Sequence, residues 1–119
     1  MAYTDGFAVA VPRVNKEAYR AFALRTNQFC LDHGALRVVD NWGDDVPIGT
    51  QTDFRRAVAA TDDEEVVFSW IEWPDKATRD AAFAKMEGDP ILSIKMPFDS
   101  KRMIFGGFEV LHDMRGEQE

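Results

Sequence analysis

Cysteine occurs once, at Cys30, and histidine twice, at His33 and His112. A lone thiol rules out an internal disulfide and a multi-cysteine metal site, and two imidazoles are too few for a histidine cage; a carboxylate-led site stays open, but no metal is expected. Positive charge is also scarce: 14 Lys and Arg stand against 21 Asp and Glu, a formal net charge of −7. Phosphate backbones are normally met by clustered Lys and Arg on a basic domain, which makes nucleic acid an unexpected partner. No apolar run approaches the roughly 18 residues that a membrane span requires. The opening Met1-Ala2-Tyr3-Thr4-Asp5-Gly6 lacks the basic-then-apolar order of a secretory or transit leader. The chemistry of a reducing cytoplasm fits best, with no membrane involvement. Neither a Walker loop nor a dinucleotide fingerprint occurs, so no cofactor is expected.

What remains is 119 residues, 45% of them hydrophobic. A chain of this size buries roughly two-thirds of the surface its unfolded form exposes, enough for a core without staples. One domain over 1–112 and a frayed tail over 113–119 are expected.

Period-two alternation of Phe7, Val9 and Val11 marks a strand over 3–12, closed by Pro12. The period then changes. Tyr19, Phe22, Ala23, Thr26, Phe29 and Cys30 recur at helical spacing after Asn15, a candidate N-cap, and Gly34 supplies the stop. Residues 35–43 alternate again. Gly43 to Gly49 is turn chemistry, and 54–60 reads more readily as a short strand than as a helical turn. The acidic Asp62-Asp63-Glu64-Glu65 reads as a solvated turn before the strongest strand signal, 66–73. Asp75 caps a helix predicted over 76–87, with Ala77, Ala81, Ala84, Phe83 and Met86 on its apolar side. An irregular stretch over 91–100 precedes a last strand over 102–111.

The resulting order is two successive βαβ halves, a ferredoxin-like α+β arrangement of one antiparallel sheet with two helices on one face. Two helices cover one face only, yet the strand at 66–73 is apolar on both: Val66, Phe68 and Trp70 on one side, Val67, Ile71 and Trp73 on the other. Several hundred Å² of exposed apolar sheet exceeds what soluble monomers commonly carry. The expected cover is a second copy, packed sheet to sheet about a two-fold axis. The alternative is that 46–60 and 91–100 fold over that face.

Seven segments in order carry a resemblance: Asp5-Gly6-Phe7, His33-Gly34-Ala35-Leu36, Gly43-Asp44-Asp45-Val46-Pro47, Phe54-Arg55-Arg56-Ala57-Val58, Val66-Val67-Phe68-Ser69-Trp70, Met96-Pro97-Phe98-Asp99 and Lys101-Arg102-Met103-Ile104-Phe105-Gly106-Gly107-Phe108. Together they resemble the bacterial DUF1428 family, the YbaA-like proteins, over residues 3–111. The resemblance implies a dimeric α+β barrel of ferredoxin-like subunits in the bacterial cytoplasm. It carries no catalytic residue across.

Candidate chemistry therefore comes from the residues themselves. His33, at a helix C-terminus, is a proton acceptor or a dipole-stabilising cap. Asp99 is a second candidate base. Arg56 and Arg102 are placed to clamp an anion, or to pair with Asp5, Asp44, Asp45 or Asp99. Trp70 and Phe98 offer aromatic walls to a ligand. Ser69 lacks the surroundings of a nucleophile elbow. Gly106-Gly107 leaves room for a ligand or, more readily, for a neighbouring aromatic ring. The leading expectation is a homodimer that binds a small, partly apolar molecule between sheet and helices, an anionic group being left open, with catalysis undecided. Two alternatives remain: a non-enzymatic adaptor dimer without a pocket, and an RNA binder using a local groove at Arg55, Arg56, Lys101 and Arg102.

Overall fold

Strand β1 (Tyr3–Pro12) leads through a 3-10 turn at Arg13–Asn15 into helix α1 (Lys16–Asp32), β2 (Arg37–Trp42), the short α2 (Phe54–Ala57), β3 (Glu64–Trp73) and α3 (Lys76–Glu87). Two further 3-10 turns, Pro90–Ser93 and Ser100–Arg102, precede β4 (Ile104–Glu109). The structure, a computed structural model, describes residues 1–117; Gln118 and Glu119, the end of the expected frayed tail, lie outside the described residues.

The four strands form one sheet in the order β2-β3-β1-β4, every neighbouring pair antiparallel. This is the ferredoxin-like order. Each βαβ half brackets a strand of the other, which places α1 and α3 on the same side of the sheet. Odd-numbered positions of β1 and β3 face the helices. Val9, Val11 and Val67 pack there with Tyr19 and Ala23 of α1, while Tyr3, Ile71 and Trp73 pack with Cys30, Ala35 and Ala82.

Local chemistry sets the helix ends. Asp75 caps α3 by accepting from Thr78 N–H at 2.8 Å, and Gly34 follows α1 at φ +109, where a side chain is strained. Asn15 does not cap α1: its side chain makes no cap bond, and its Nδ2 donates instead to Pro97 O at 3.0 Å. The helix entry is reached through the preceding 3-10 turn, which frees the amide to hold the distant 90–103 segment. On α3 the buried side is Ala82, Phe83 and Met86, whereas Ala77, Ala81 and Ala84 are exposed. Phe83 and Met86 carry the larger apolar area, and they set which side turns inward.

Two further readings of the sequence are corrected. Residues 54–57 are helical, because the Asp53 carboxylate accepts from Arg56 N–H at 2.8 Å and caps the turn. That cap lies one residue ahead of the apolar run, where periodicity does not look. Glu64 and Glu65 belong to β3 rather than to a solvated turn, and Glu64 is buried. Arg102 reaches both Glu64 oxygens at 2.7 Å, and Arg13 and Arg55 approach Glu65 at 3.4 and 3.7 Å.

The sheet face opposite the helices is covered at one end only. Val58, following α2, is fully buried against Ala8, Ala10 and Val66. Beyond it Phe54, Phe68, Ile104 and Phe108 are 44–59% exposed. The 46–60 insertion thus covers part of this face, and the 91–100 segment lies on the helical side, where Phe98 packs on Tyr19 and Phe22.

Candidate functional site

On the helical side, the space between α1, α3 and the sheet is roofed by the 90–103 segment. A cavity of about 250 Å³ results. Tyr19, Phe22, Ala23, Thr26, Asn27 and Cys30, one stripe along α1, form its first wall. Phe83 and Met86 of α3 form the second. Asp5, Phe7, Ile71, Met103 and Phe105 come from the sheet side, and Leu92, Met96 and Phe98 from the roof. Phe98 meets Phe22 nearly edge-on, with centroids 5.6 Å apart, and Tyr19 at 5.9 Å.

Two polar networks flank this cavity. In the first, the buried Asp5 carboxylate accepts from Arg79 Nη2 at 2.9 Å, from Arg79 Nε at 3.1 Å and from Trp73 Nε1 at 2.9 Å. Arg79 lies over the Phe83 ring at 4.8 Å and also pairs with Asp80 at 2.9 Å. Its guanidinium is held more firmly protonated than usual, chiefly by the hydrogen bonds to Asp5. Burial, followed by the nearby Asp5 charge, pushes the Cys30 thiol up to about 11, so it stays protonated at neutral pH.

In the second network Asp40 of β2 collects neutral donors. Tyr19 Oη donates at 3.0 Å, Asn27 Nδ2 at 2.7 Å, and Ser69 Oγ to the same oxygen as Tyr19. Asp40 and Ser69 are direct cross-strand partners, which explains a fully buried serine in the most apolar strand. Burial, then the Asp40 charge, raises the Tyr19 phenol well above its ordinary value. A second concavity of about 250 Å³ opens beyond Tyr19 and Ala23, bordered by Lys16, Arg20, Asp40 and Trp42. Lys16 Nζ stands 5.3 Å from the Trp42 ring centre there.

Of the residues singled out from sequence, Phe98 lines the apolar cavity. His33 ends α1 with Nδ1 2.8 Å from Phe29 O and its ring stacked on Phe29 at 4.1 Å. Arg56, on α2, stands 3.5 Å from Asp53. Asp99 caps the Ser100–Arg102 turn by accepting from Lys101 N–H at 3.0 Å and meets Arg102 at 3.1 Å. These two bonds hold its carboxyl below the usual range. Arg102 also donates to Ala59 O at 2.8 Å, so Glu64, Asp99 and Ala59 together engage its guanidinium. Trp70 lies on the open sheet face beside Phe68 and donates to Glu72 at 2.9 Å. The structure therefore joins Asp99 to Arg102 and places His33, Arg56 and Trp70 apart from them and from the cavity. Phe108 packs its ring over Gly6 and Gly106, the aromatic occupant expected there.

Asp40, Asp5 and Arg79 were not singled out as site residues. An acidic residue at a helix-facing strand position was the available signal for both carboxylates, and Arg79 on the apolar side of α3 was its counterpart. Among the described residues, no group of three His, Cys, Asp or Glu side chains is placed to hold a metal ion, and no helix is long and apolar enough to cross a membrane.

Sheet order, helix placement and cavity together define a ferredoxin-like α+β protein. The chain belongs to the DUF1428 family, described as proteins of unknown function, whose model matches residues 2–100. It is 54% identical over 116 residues to the uncharacterized protein YbaA of Escherichia coli strain K12, covering 95% of this chain and 99% of that protein. The YbaA of Shigella flexneri matches to the same extent. Among solved structures it is similar to a dimeric ferredoxin-like protein from an uncultured marine organism. The TM-score is 0.56 at 14% identity, over 97% of this chain and 98% of that one.

Proposed function

We propose that this protein is a homodimer, joined through the open face of its sheet, that binds a small, largely apolar molecule in the cavity on the opposite face. The observation that carries the ligand reading is the cavity of about 250 Å³ walled by phenylalanine and methionine side chains. Apolar cavities of about 150 Å³ already hold benzene. The dimer reading draws on the exposed Phe54, Phe68, Ile104 and Phe108 and on the structural neighbour described as dimeric. In this reading Phe98 is a ligand wall, while Arg102 clasps Glu64 and His33 caps α1.

Native mass spectrometry of freshly purified protein, compared with the denatured mass, tests both parts. Two chains with a reproducible small adduct is the expected result. A clean monomer overturns the sheet-to-sheet dimer, and failure of every small apolar probe to bind overturns the ligand reading. A second reading, an adaptor dimer, draws on the same exposed aromatics. It requires that Phe54 or Phe108 remain accessible in the dimer, which solvent labelling of these rings reads directly.

A further inference from the structure

We infer that the cavity between sheet and helices takes an uncharged molecule, an aromatic or branched apolar body bearing one hydrogen-bond-donating group, and discriminates against carboxylates, phosphates and ammonium groups. This rests on the reading of that cavity as a ligand site and narrows what it accepts.

The charge inventory decides against ions. No Lys, Arg or His lines the cavity, and Asp5 is the one ionised group among its lining residues. Asp5 is itself matched by Arg79, and the other end of Arg79 is held by Asp80. A carboxylate or phosphate entering here gives up its hydration and meets no cation among the lining residues, and Arg79 behind Asp5 is already engaged by Asp5 and Asp80. An ammonium fares little better, because Asp5 is already paired and Asp40 lies behind Tyr19 and Asn27. The protonated thiol of Cys30 adds no charge.

The hydrogen-bond inventory sets the polarity of the ligand's one polar group. The Tyr19 hydroxyl proton is committed to Asp40, and so is one of the two Asn27 Nδ2 protons. The Thr26 hydroxyl donates back to Ala23 O at 3.1 Å. The capacity left on these lining side chains is chiefly that of acceptors, the Thr26 hydroxyl oxygen and the Asn27 carbonyl oxygen. A phenol, alcohol or amide N–H complements both oxygens, whereas a ketone or ether finds only the second N–H of Asn27. The remaining walls are aromatic rings and methionines, which suit a flat or irregular body.

A matched series sharing one para-methylphenyl body tests this: para-cresol, para-toluate, para-methylbenzylammonium and para-xylene. Each is titrated at neutral pH into full-length protein carrying isotopically labelled methionine methyls. Met86, Met96 and Met103 line the cavity, whereas Met1 and Met114 are 91% and 86% exposed elsewhere. The expected result is that para-cresol shifts the three cavity methyls and leaves the other two unmoved. Its affinity should exceed that of both ions by about tenfold or more, and that of para-xylene by about three- to tenfold. Asn27→Leu should remove the advantage over para-xylene, with Thr26→Val as the second variant if the first loses its fold. Para-toluate or the ammonium binding as tightly as para-cresol at these methyls overturns the inference and leaves the cavity reading standing. Para-xylene matching para-cresol overturns the donor requirement. If no member of the series moves the three methyls, the ligand reading of the cavity falls with it.

Discussion

Both faces of the sheet carry large apolar side chains, and the two meet different fates. Toward the helices, Val9, Val11, Val67 and Trp73 are each at most 1% exposed. On the opposite face, Phe68 of β3 and Ile104 and Phe108 of β4 remain 44–59% exposed. Intrachain cover explains the contrast. Helices α1 and α3 supply two apolar stripes to the first face, while the second receives only Val58 and the short α2 at one end. A face with cover from its own chain forms a core; a face without it invites a second chain, and one that is apolar over a broad area is adapted to permanent contact.

The contrast is broken most severely on the covered face. Trp73→Ala removes a fully buried indole and leaves the Asp5 carboxylate without one of its donors. A loss of about 3–5 kcal/mol is expected in urea unfolding. A loss under about 1 kcal/mol would show that this face is not the core described. The open face should respond in the opposite way. Phe68→Lys combined with Phe108→Lys places charge on the proposed interface and is expected to leave circular dichroism unchanged. Sedimentation should then report dissociation to monomer, with at least about 2 kcal/mol lost from association. Retention of the dimer would move the interface elsewhere.

Between these regimes lies the covered end of the open face, where Arg102 ties β3 to the segment after α2 by contacting Glu64 and Ala59 O. Hydrogen bonds from Arg102, the largest influence, hold the Glu64 carboxyl at about 2 instead of its usual 4.5. A depressed carboxyl pKa contributes stability in full above the unfolded value, and that contribution declines as pH falls from 4.5 to 2. About 2 kcal/mol is expected to disappear over that window once solvent screening is allowed for. Asp53, Asp75, Asp80 and Asp99 are also shifted downward, so the quantity to measure is the difference between the parent protein and Glu64→Gln. Parallel stability curves below pH 4.5 would remove this role from the pair.

These contrasts also mark how far the sequence could be read. Alternation in β1 and β3, the Asp75 cap and the Gly34 stop are local signals, and each falls within a residue or two of the observed element. The excess of apolar residues on both sides of β3 was legible for the same reason, since strand period alone assigns faces. Long-range polar pairing was not. Glu64 and Arg102 stand 38 residues apart, and Asp5 and Arg79 stand 74 apart, so nothing in their neighbourhoods announces the partner. The acidic run at 62–65 looked solvated because composition cannot see arginines brought in by distant turns and by α2. The cavity followed the same rule: its α1 wall was visible as a helical stripe, whereas its roof depended on Phe98 folding back across α1.

The smallest expected effects separate two glycines within the covering layer itself. Gly34 ends α1 at φ +109, and a methyl group added there would run into the Thr78 side chain of α3. Gly88 ends α3 at φ −100, and an added methyl meets nothing within 4 Å. Backbone strain and crowding therefore act together at the first position and not at the second. Gly34→Ala should cost about 1–2 kcal/mol, whereas Gly88→Ala should be neutral or stabilising by about 0.5 kcal/mol, because alanine narrows the unfolded ensemble at no cost to the fold. Chemical denaturation of both variants in parallel gives the comparison, with the slope serving to check that each unfolds in one step. Equal losses would mean that the seating of α1 against α3 is not what fixes the first position, and the helical layer would then tolerate a shift that the cavity beneath it would feel.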